Sequence, residues 1–129
     1  MSLTEALDPP PRRPRPPAAN DAARICWLME AATAAAFGVA VDDLRAPSRG
    51  SAAAAFARQS AMYLAHVTLG LSYSAVGTLF HRDRTTAAYA CRLVEDRRDD
   101  AKTDRVLQTL EGVCRELARG VLAPPQVRP

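Results

Sequence analysis

The sequence predicts an all-α protein, a compact multi-helix domain that contains a helix-turn-helix with a long recognition helix. Apolar residues recur at spacings of three and four through most of the chain, and no alternating pattern typical of a strand occurs. The stretch 72–100 has the pattern of a short helix, a tight turn and a long helix that exposes Arg, Thr and Tyr. That layout is typical of a motif that inserts its second helix into the DNA major groove.

Capping and breaking residues define the helix boundaries. The first helix is expected to be capped by Asn20 or Asp21 and to end at Phe37, before Gly38. Trp27 lies off the centre of its apolar stripe, and packing at the edge of the core explains it better than a contact surface. The next segments are predicted to be a helical turn at 41–44, a helix at about 51–68, the two helices of the helix-turn-helix and a last helix at about 103–118.

Each helix of the helix-turn-helix has a suitable cap. Ser72 is predicted to cap the short helix and Asp83 the long one, with His81 and Arg82 in the turn between them. Gly77 lowers the helix propensity of the short helix by about 1 kcal/mol relative to Ala, so we expect a close helix–helix approach there. A helical wheel of the long helix places one set of residues towards the core, Ala87, Ala90, Cys91 and Val94. The opposite set is Thr85, Thr86, Tyr89 and Arg92.

Composition divides the 129 residues into three parts. Residues 1–20 hold six of the ten prolines with three arginines between them, which predicts a disordered arm. Residues 21–119 are predicted to form the helical domain and residues 120–129 a flexible tail. The arm either is a solvated tail or contacts DNA phosphates or a protein partner. The solvated tail is the favoured interpretation.

The net charge, the basic residues, the cysteines and the length of the apolar runs limit the class of protein. A formal charge of +3 does not by itself indicate nucleic acid. Sixteen of the seventeen basic residues are Arg, which suits bidentate contacts to phosphate and guanine, although GC-rich codon usage also explains the bias. The three widely spaced cysteines predict buried residues of a reducing compartment rather than disulfides or a zinc site. With no signal segment and no apolar run that could span a bilayer, we expect a cytoplasmic protein.

The first turn of the long helix carries the residues that suit contacts to bases, Asp83, Arg84, Thr85 and Thr86. Arg donates to guanine O6 and N7, the Thr methyl contacts thymine, and Asp accepts from cytosine N4. Phosphate contacts are predicted for Arg82, Arg92, Arg97 and Arg98.

Structural explanations exist for the same residues. Asp83 can serve only as a helix cap, and Arg92, Arg97 and Arg98 can pair with the acidic residues at 95, 96, 99 and 100. Leu93 falls within the polar arc, which an ideal DNA-binding face does not predict. On spacing alone, DNA binding and a small helical interaction module are equally supported.

Several ordered motifs resemble one bacterial family. The runs are Ala57-Arg58-Gln59-Ser60-Ala61-Met62-Tyr63-Leu64, Ser72-Tyr73-Ser74-Ala75-Val76-Gly77, Arg82-Asp83-Arg84-Thr85-Thr86 and Ala90-Cys91-Arg92. They resemble ARQxAMYL, SxxxIG, RDHTT and HAC of the C-terminal DNA-binding domain (domain IV) of the replication initiator DnaA. The segment from Phe37 to Leu44 is similar to the YGVSVEDL of that family. The resemblance extends from about Asp21 to Leu117.

The resemblance implies an all-helical, Trp-repressor-like fold that binds DNA sequences of the DnaA-box type. It implies base contacts from Asp83, Arg84, Thr85 and Thr86, backbone or supporting contacts from Arg58, Ser72, Arg82, Tyr89 and Arg92, and a minor-groove contact for which Arg49 is the candidate. The chain departs from the family at Arg84 and Tyr89, where the family has His, and at His81, which stands for a Gly-Gly turn. The basic loop of the family is represented only by Arg45 and Arg49.

The function expected is sequence-specific binding of double-stranded DNA by a transcription or replication regulator associated with the nucleoid. These residues hold no GxxxxGK[ST] phosphate loop, no nucleophile constellation and no metal-ligand spacing, so we expect neither ATPase nor other catalysis, and no cofactor. The alternative is a protein-interaction adaptor that retains the fold without base contacts. It would use Trp27, Leu93 or the proline-rich arm.

Overall fold

The computed structural model describes residues 19–46 and 50–122, which form six α-helices and no strand. The helices are α1 (Ala19–Phe37), α2 (Val41–Arg45), α3 (Ala52–Leu69), α4 (Tyr73–Phe80), α5 (Arg84–Arg97) and α6 (Ala101–Leu122). The all-α class is confirmed, and α4 and α5 form the helix-turn-helix. Most of the predicted arm, Arg49 and most of the predicted tail lie outside the described residues.

Local signals explain most helix ends. The hydroxyls of Ser51 and Ser72 and the carboxylate of Asp83 each accept a hydrogen bond from a backbone N–H in the first turn of α3, α4 and α5. Gly38 and Gly70 follow α1 and α3 with φ of 67° each, a left-handed conformation that glycine adopts without steric cost. The predicted caps at 72 and 83 are therefore confirmed.

The ends of α1 and α6 differ from the prediction. The first helix begins at Ala19, so that Asn20 and Asp21 lie within it rather than before it. The last helix extends from Ala101 to Leu122, four residues beyond the predicted end, and residues 120–122 of the predicted tail are helical. Packing accounts for the extension, because Val121 is partly buried against the core and outweighs the low helix propensity of Gly120.

The core surrounds α3, which packs against α1, α5, α6 and α4. The largest fully buried side chains come from all six helices and include Ile25, Met29, Leu44, Met62, Leu64, Val76, Val94 and Leu107. The inner positions of α5 predicted from the wheel, Ala87, Ala90, Cys91 and Val94, are all buried.

The three cysteines are buried too, and burial raises the pKa of Cys26 and Cys114 to about 12. The predicted burial is confirmed for the inner positions of α5 and for the cysteines.

Trp27 does not pack into the core as expected. It is 59% exposed, and the Arg45 guanidinium lies 3.4 Å from the centre of its ring. Arg45 also donates to the Trp27 carbonyl oxygen at 2.9 Å and to the Glu30 carboxylate at 3.4 Å. The indole therefore joins α1 to α2 through a cation–π contact at the surface.

Gly77 brings α4 against the turn that leads into α5. A Cβ atom at this position would lie 2.6 Å from the Arg82 carbonyl oxygen and 3.1 Å from the carbonyl carbon of Asp83. The close approach expected at Gly77 is present, but its neighbour is the backbone of the turn rather than the side of another helix. The Arg82 N–H also donates to the Gly77 carbonyl oxygen at 2.8 Å, which closes a Schellman-type helix end.

Replacing Gly77 by Ala should destabilise the protein, although Ala favours helices. The added methyl meets backbone atoms that no side-chain rotation can move, and such overpacking costs about 1–3 kcal/mol. The matched control is Gly112→Ala, because Gly112 lies within α6 and a Cβ there would meet no atom within 4 Å. That control should gain about 1 kcal/mol. Urea unfolding of both variants measures the difference, and equal stabilities would contradict the steric explanation.

Arg98 links three helices at the α5–α6 corner. Its guanidinium donates to Asp104 at 2.6 Å, to Glu111, and to the Tyr63 hydroxyl of α3 at 3.2 Å. The side chain is only 19% exposed. The phosphate contact predicted for Arg98 is wrong, because its donors are held by these partners. The acidic residues predicted to pair with it at 95, 96, 99 and 100 are not the ones it binds.

Replacing Arg98 by Ala should lower the free energy of unfolding by about 2 kcal/mol, between the values typical of exposed and buried ion pairs. The loss arises because Asp104 would lose its cation in a partly buried site and Glu111 would keep only the more exposed Arg115, 3.6 Å away. Arg119→Ala is the control, since Arg119 pairs with Glu116 on the surface, and the side chains are 71% and 68% exposed. Urea unfolding should separate the two variants, and a similar small loss in both would refute the role of Arg98.

Candidate nucleic-acid interface

The first turn of α5 presents the four predicted base-contacting residues to solvent. Asp83, Arg84, Thr85 and Thr86 are all exposed and consecutive. The Asp83 Oδ1 atom accepts from the Thr86 N–H at 2.8 Å, and this backbone hydrogen bond holds the pKa of the carboxyl below its usual range. Asp83 is thus an ionised cap that is exposed to solvent.

A groove of about 680 Å³ separates the beginning of α3 from the outer face of α5. Thr86 and Tyr89 form one wall, and Tyr89 is 58% exposed. The other wall is formed by the start of α3 and the residues before and after it, Gly50, Ser51, Ala52, Ala55, Arg58 and Gln59. The groove therefore joins the predicted contacts Arg58, Thr86 and Tyr89 in one surface.

Gln59 and Ser51 belong to this surface although the sequence did not indicate them as contacts. Gln59 directly follows Arg58 within the ARQ motif, so the signal was present. Its amide can both donate and accept at the edge of the groove. Ser51 caps α3, with its hydroxyl accepting from the Ala54 N–H at 3.1 Å, and no sequence pattern distinguished it from an ordinary cap.

Further predicted contacts in the described residues lie on α5 and at the N-terminal cap of α4. Arg92 is exposed on the outer side of α5, as the wheel predicts. Ser72 is exposed, and its hydroxyl accepts from the Ala75 N–H at 3.1 Å. Arg97 lies with its guanidinium 5.4 Å from the centre of the Phe56 ring. The minor-groove candidate, Arg49, lies outside the described residues.

Arg58 and Arg82 are half-buried and donate to backbone carbonyls at the end of α2. Arg58 Nε donates to the Leu44 oxygen at 2.8 Å and a terminal nitrogen donates to the Asp43 oxygen at 3.3 Å. Arg82 donates to the Ala46 oxygen at 3.2 Å and to the His81 oxygen at 3.3 Å. Burial, and then the charge of Arg82, lowers the pKa of Arg58.

The turn between α4 and α5 depends on a residue in an unusual conformation. His81 has φ of 56° and ψ of 43°, in the left-handed region that glycine usually occupies. The single residue ends α4 and directs the chain towards Arg82 and Asp83. The shortened turn noted in the sequence therefore still delivers Asp83 to its capping position.

The described ranges hold no group of three or more His, Cys, Asp or Glu side chains placed to bind a metal ion. None of their helices is both long and apolar enough to cross a membrane.

These features together define a helix-turn-helix protein of the DNA-binding class, with an exposed recognition helix beside a groove. Residues 28–94 match the family model described as "Bacterial dnaA protein helix-turn-helix", and the chain belongs to that family. The matched range begins within α1 and ends within α5, so it contains α4, the turn and α5 as far as Val94.

Two curated relatives are chromosomal replication initiator proteins DnaA, one from Clavibacter sepedonicus and one from Clavibacter michiganensis subsp. michiganensis. Each is 48% identical over 65 residues, which are 50% of this chain and 13% of the relative. The similarity thus concerns a small part of those initiators. Double-stranded DNA is the partner that a helix-turn-helix of this type supports.

Replacing Gln59 by Ala should weaken binding to every duplex by a similar factor, roughly fivefold for one lost hydrogen bond of about 1 kcal/mol. We expect Gln59 to contact the DNA backbone. Such a contact carries no sequence information, so the base preference should not change. Gln108→Ala is the control, because Gln108 lies on α6 and donates to Asp104 at 2.9 Å, outside the groove. Fluorescence anisotropy with two unrelated duplexes provides the measurement. An unchanged affinity would remove Gln59 from the interface.

Proposed function

We propose that this protein binds double-stranded DNA at specific sequences through its DnaA-like helix-turn-helix and regulates transcription or replication. The observation that carries the proposal is the exposed run Asp83–Thr86 at the start of α5, next to the groove formed with α3. Residues at this end of a recognition helix contact base edges. The buried face of α5 holds them in a fixed position relative to that groove.

Each exposed residue of the run has a base edge that it can recognise. Arg84 can donate two hydrogen bonds to guanine O6 and N7, and the methyl groups of Thr85 and Thr86 can contact a thymine methyl. The carboxylate of Asp83 can accept from cytosine N4. Each good bidentate contact discriminates between bases by about 1–3 kcal/mol.

The surrounding residues suit contacts to the DNA backbone. Arg92, Tyr89 and Ser72 are exposed, and Gln59 lines the groove. Cations that neutralise phosphates release counterions, so the affinity should fall steeply as salt rises. Contacts of this kind set the register and orientation of α5, while the base-contacting run sets the sequence.

The role proposed for this domain is regulatory and not catalytic. Its residues hold no GxxxxGK[ST] loop that would bind ATP phosphates, so these residues would act on DNA by occupying it. The target proposed is of the DnaA-box type, and the proposed location is the nucleoid in the cytoplasm. Arg84 replaces the His of the family motif, so we expect the preferred site to differ from the DnaA box at the base that Arg84 contacts.

Replacing Thr85 by Ala should relax the base preference at one position of the site. The variant should bind the duplex selected by the wild type about fivefold more weakly, because one lost base contact costs about 1 kcal/mol. Selection of bound duplexes from random DNA gives the preference of each protein. Thr109→Ala is the control, since Thr109 is exposed on α6 and donates to the Arg105 oxygen. If wild type and Thr85→Ala select the same sequences, base contact by Thr85 is disproved.

A second candidate function is a protein-interaction adaptor, which Trp27 favours because a tryptophan with 59% exposure is an unusual surface residue. A partner bound there should lose affinity on Trp27→Ala and keep it when Arg84 and Arg92 are both replaced by Ala. The DNA-binding proposal expects the opposite pattern for duplex DNA. A protein with no footprint on any selected duplex would favour the adaptor.

A further inference from the structure

Three carbonyl oxygens at the carboxyl end of α2 accept hydrogen bonds from two distant arginines. Arg58 of α3 binds the oxygens of Asp43 and Leu44, and Arg82 of the turn binds that of Ala46. The last carbonyls of a helix lack partners within the helix and carry partial negative charge, so cations stabilise them. We refer to Arg58 and Arg82 as the arginine pair.

The arginine pair has no carboxylate to hold it in place. Neither residue forms an ion pair with any acidic side chain in the described part of the chain, and Arg82 contributes to the lowered pKa of Arg58. Both line a cleft of about 390 Å³ whose carboxylate, Glu30, already binds Arg45. Two like charges would separate in water unless other groups held them, and here the groups are the carbonyls of α2.

The bonds connect the base-contacting end of α5 with the α2–α3 junction. Arg82 immediately precedes Asp83, the cap of α5, and its guanidinium binds the residue that follows α2. Arg58 lines both the cleft with Arg82 and the groove with Thr86 and Tyr89. Gly50 and Ser51, on the far side of the junction, form the opposite wall of that groove. The two arginines thus connect the carboxyl end of α2 to both walls of that groove, Arg58 as part of the α3 wall and Arg82 through the adjacent cap of α5.

We propose that Arg58 and Arg82 are positioning residues, which hold the end of α2 against the helix-turn-helix and thereby set the DNA sequence preference of α5. The inference rests on the proposed function, since it assigns to the two arginines a part in sequence recognition. It differs from the phosphate role implied by the family resemblance. A phosphate contact adds affinity for all sequences, whereas a positioning residue adds preference for one.

The test compares Arg82→Gln and Arg82→Lys with the wild type on two duplexes, the one that the wild type selects from random DNA and a shuffled duplex of the same composition. Affinity is measured against salt concentration. The sequence preference is the affinity for the selected duplex divided by the affinity for the shuffled duplex. If Arg82 is a positioning residue, this ratio should fall at least tenfold in both variants. The slope of log affinity against log salt should stay unchanged. Lys keeps the charge but lacks the planar guanidinium that binds two carbonyls, so it should not restore the preference.

Arg92→Gln is the matched control, because Arg92 is exposed and has no hydrogen bond or ion pair in the described residues. As a phosphate contact, it should reduce the salt slope by about one and weaken both duplexes equally. If Arg82→Gln behaves like this control, or if Arg82→Lys restores the wild-type preference, the positioning role is overturned. If the wild type prefers no duplex sequence, the proposed sequence-specific binding is refuted, and the positioning role is refuted with it.

Amide hydrogen exchange tests whether the arginine pair holds α2 in place. Removing the Arg58 donors should loosen α2, so the Leu44 N–H, which donates to the Ala40 oxygen at 3.2 Å, should exchange with solvent at least tenfold faster in Arg58→Gln. Exchange of α6 amides in the same sample controls for global unfolding. An exchange rate unchanged at Leu44 would overturn the link between the arginine pair and α2.

Discussion

The contact between Gly77 and the backbone of the turn determines where α5 begins. The Arg82 carbonyl oxygen and the Asp83 carbonyl carbon lie where a side chain at position 77 would have to go, and the Arg82 N–H binds the Gly77 oxygen. Asp83 is both part of this contact and the cap of α5. The start of the helix that carries the candidate base contacts is thus constrained by backbone packing. His81 completes the same constraint by adopting the left-handed conformation between the two helices.

The arginines divide according to the partners that the fold offers them. Arg98 is surrounded by acidic and hydroxyl groups, so it stabilises the α5–α6 corner. Arg45 covers Trp27 and pairs with Glu30, so it joins α1 to α2. Arg84 and Arg92 are exposed. Charge alone does not distinguish these roles, because all four are the same residue type. What distinguishes them is whether a carboxylate or carbonyl from another helix lies within reach.

Sequence reasoning succeeded where the deciding interaction is local. The caps at Ser72 and Asp83 and the two faces of α5 depend on residues within a few positions of each other, and the structure has them as predicted. It failed where a partner far along the chain decides. Arg98 binds Tyr63 from 35 positions away and Arg82 binds Ala46 from 36, and neither pairing leaves a periodic signal. Trp27 is exposed for the same reason, since Arg45 supplies a contact that helical spacing does not show.

The division between local and distant interactions also bears on the choice of DNA site. If only the residues of α5 decided the preferred bases, the replacement of the family His by Arg84 would be sufficient to predict the change. Arg82, however, binds Ala46 while it precedes the cap of α5, so under the proposed positioning role the end of α2 also affects how that helix is held. Two homologues with identical residues from Asp83 to Thr86 are then expected to prefer different sites if the ends of their α2 helices differ. Under this proposal, base preference is a property of the end of α2 and the recognition helix together.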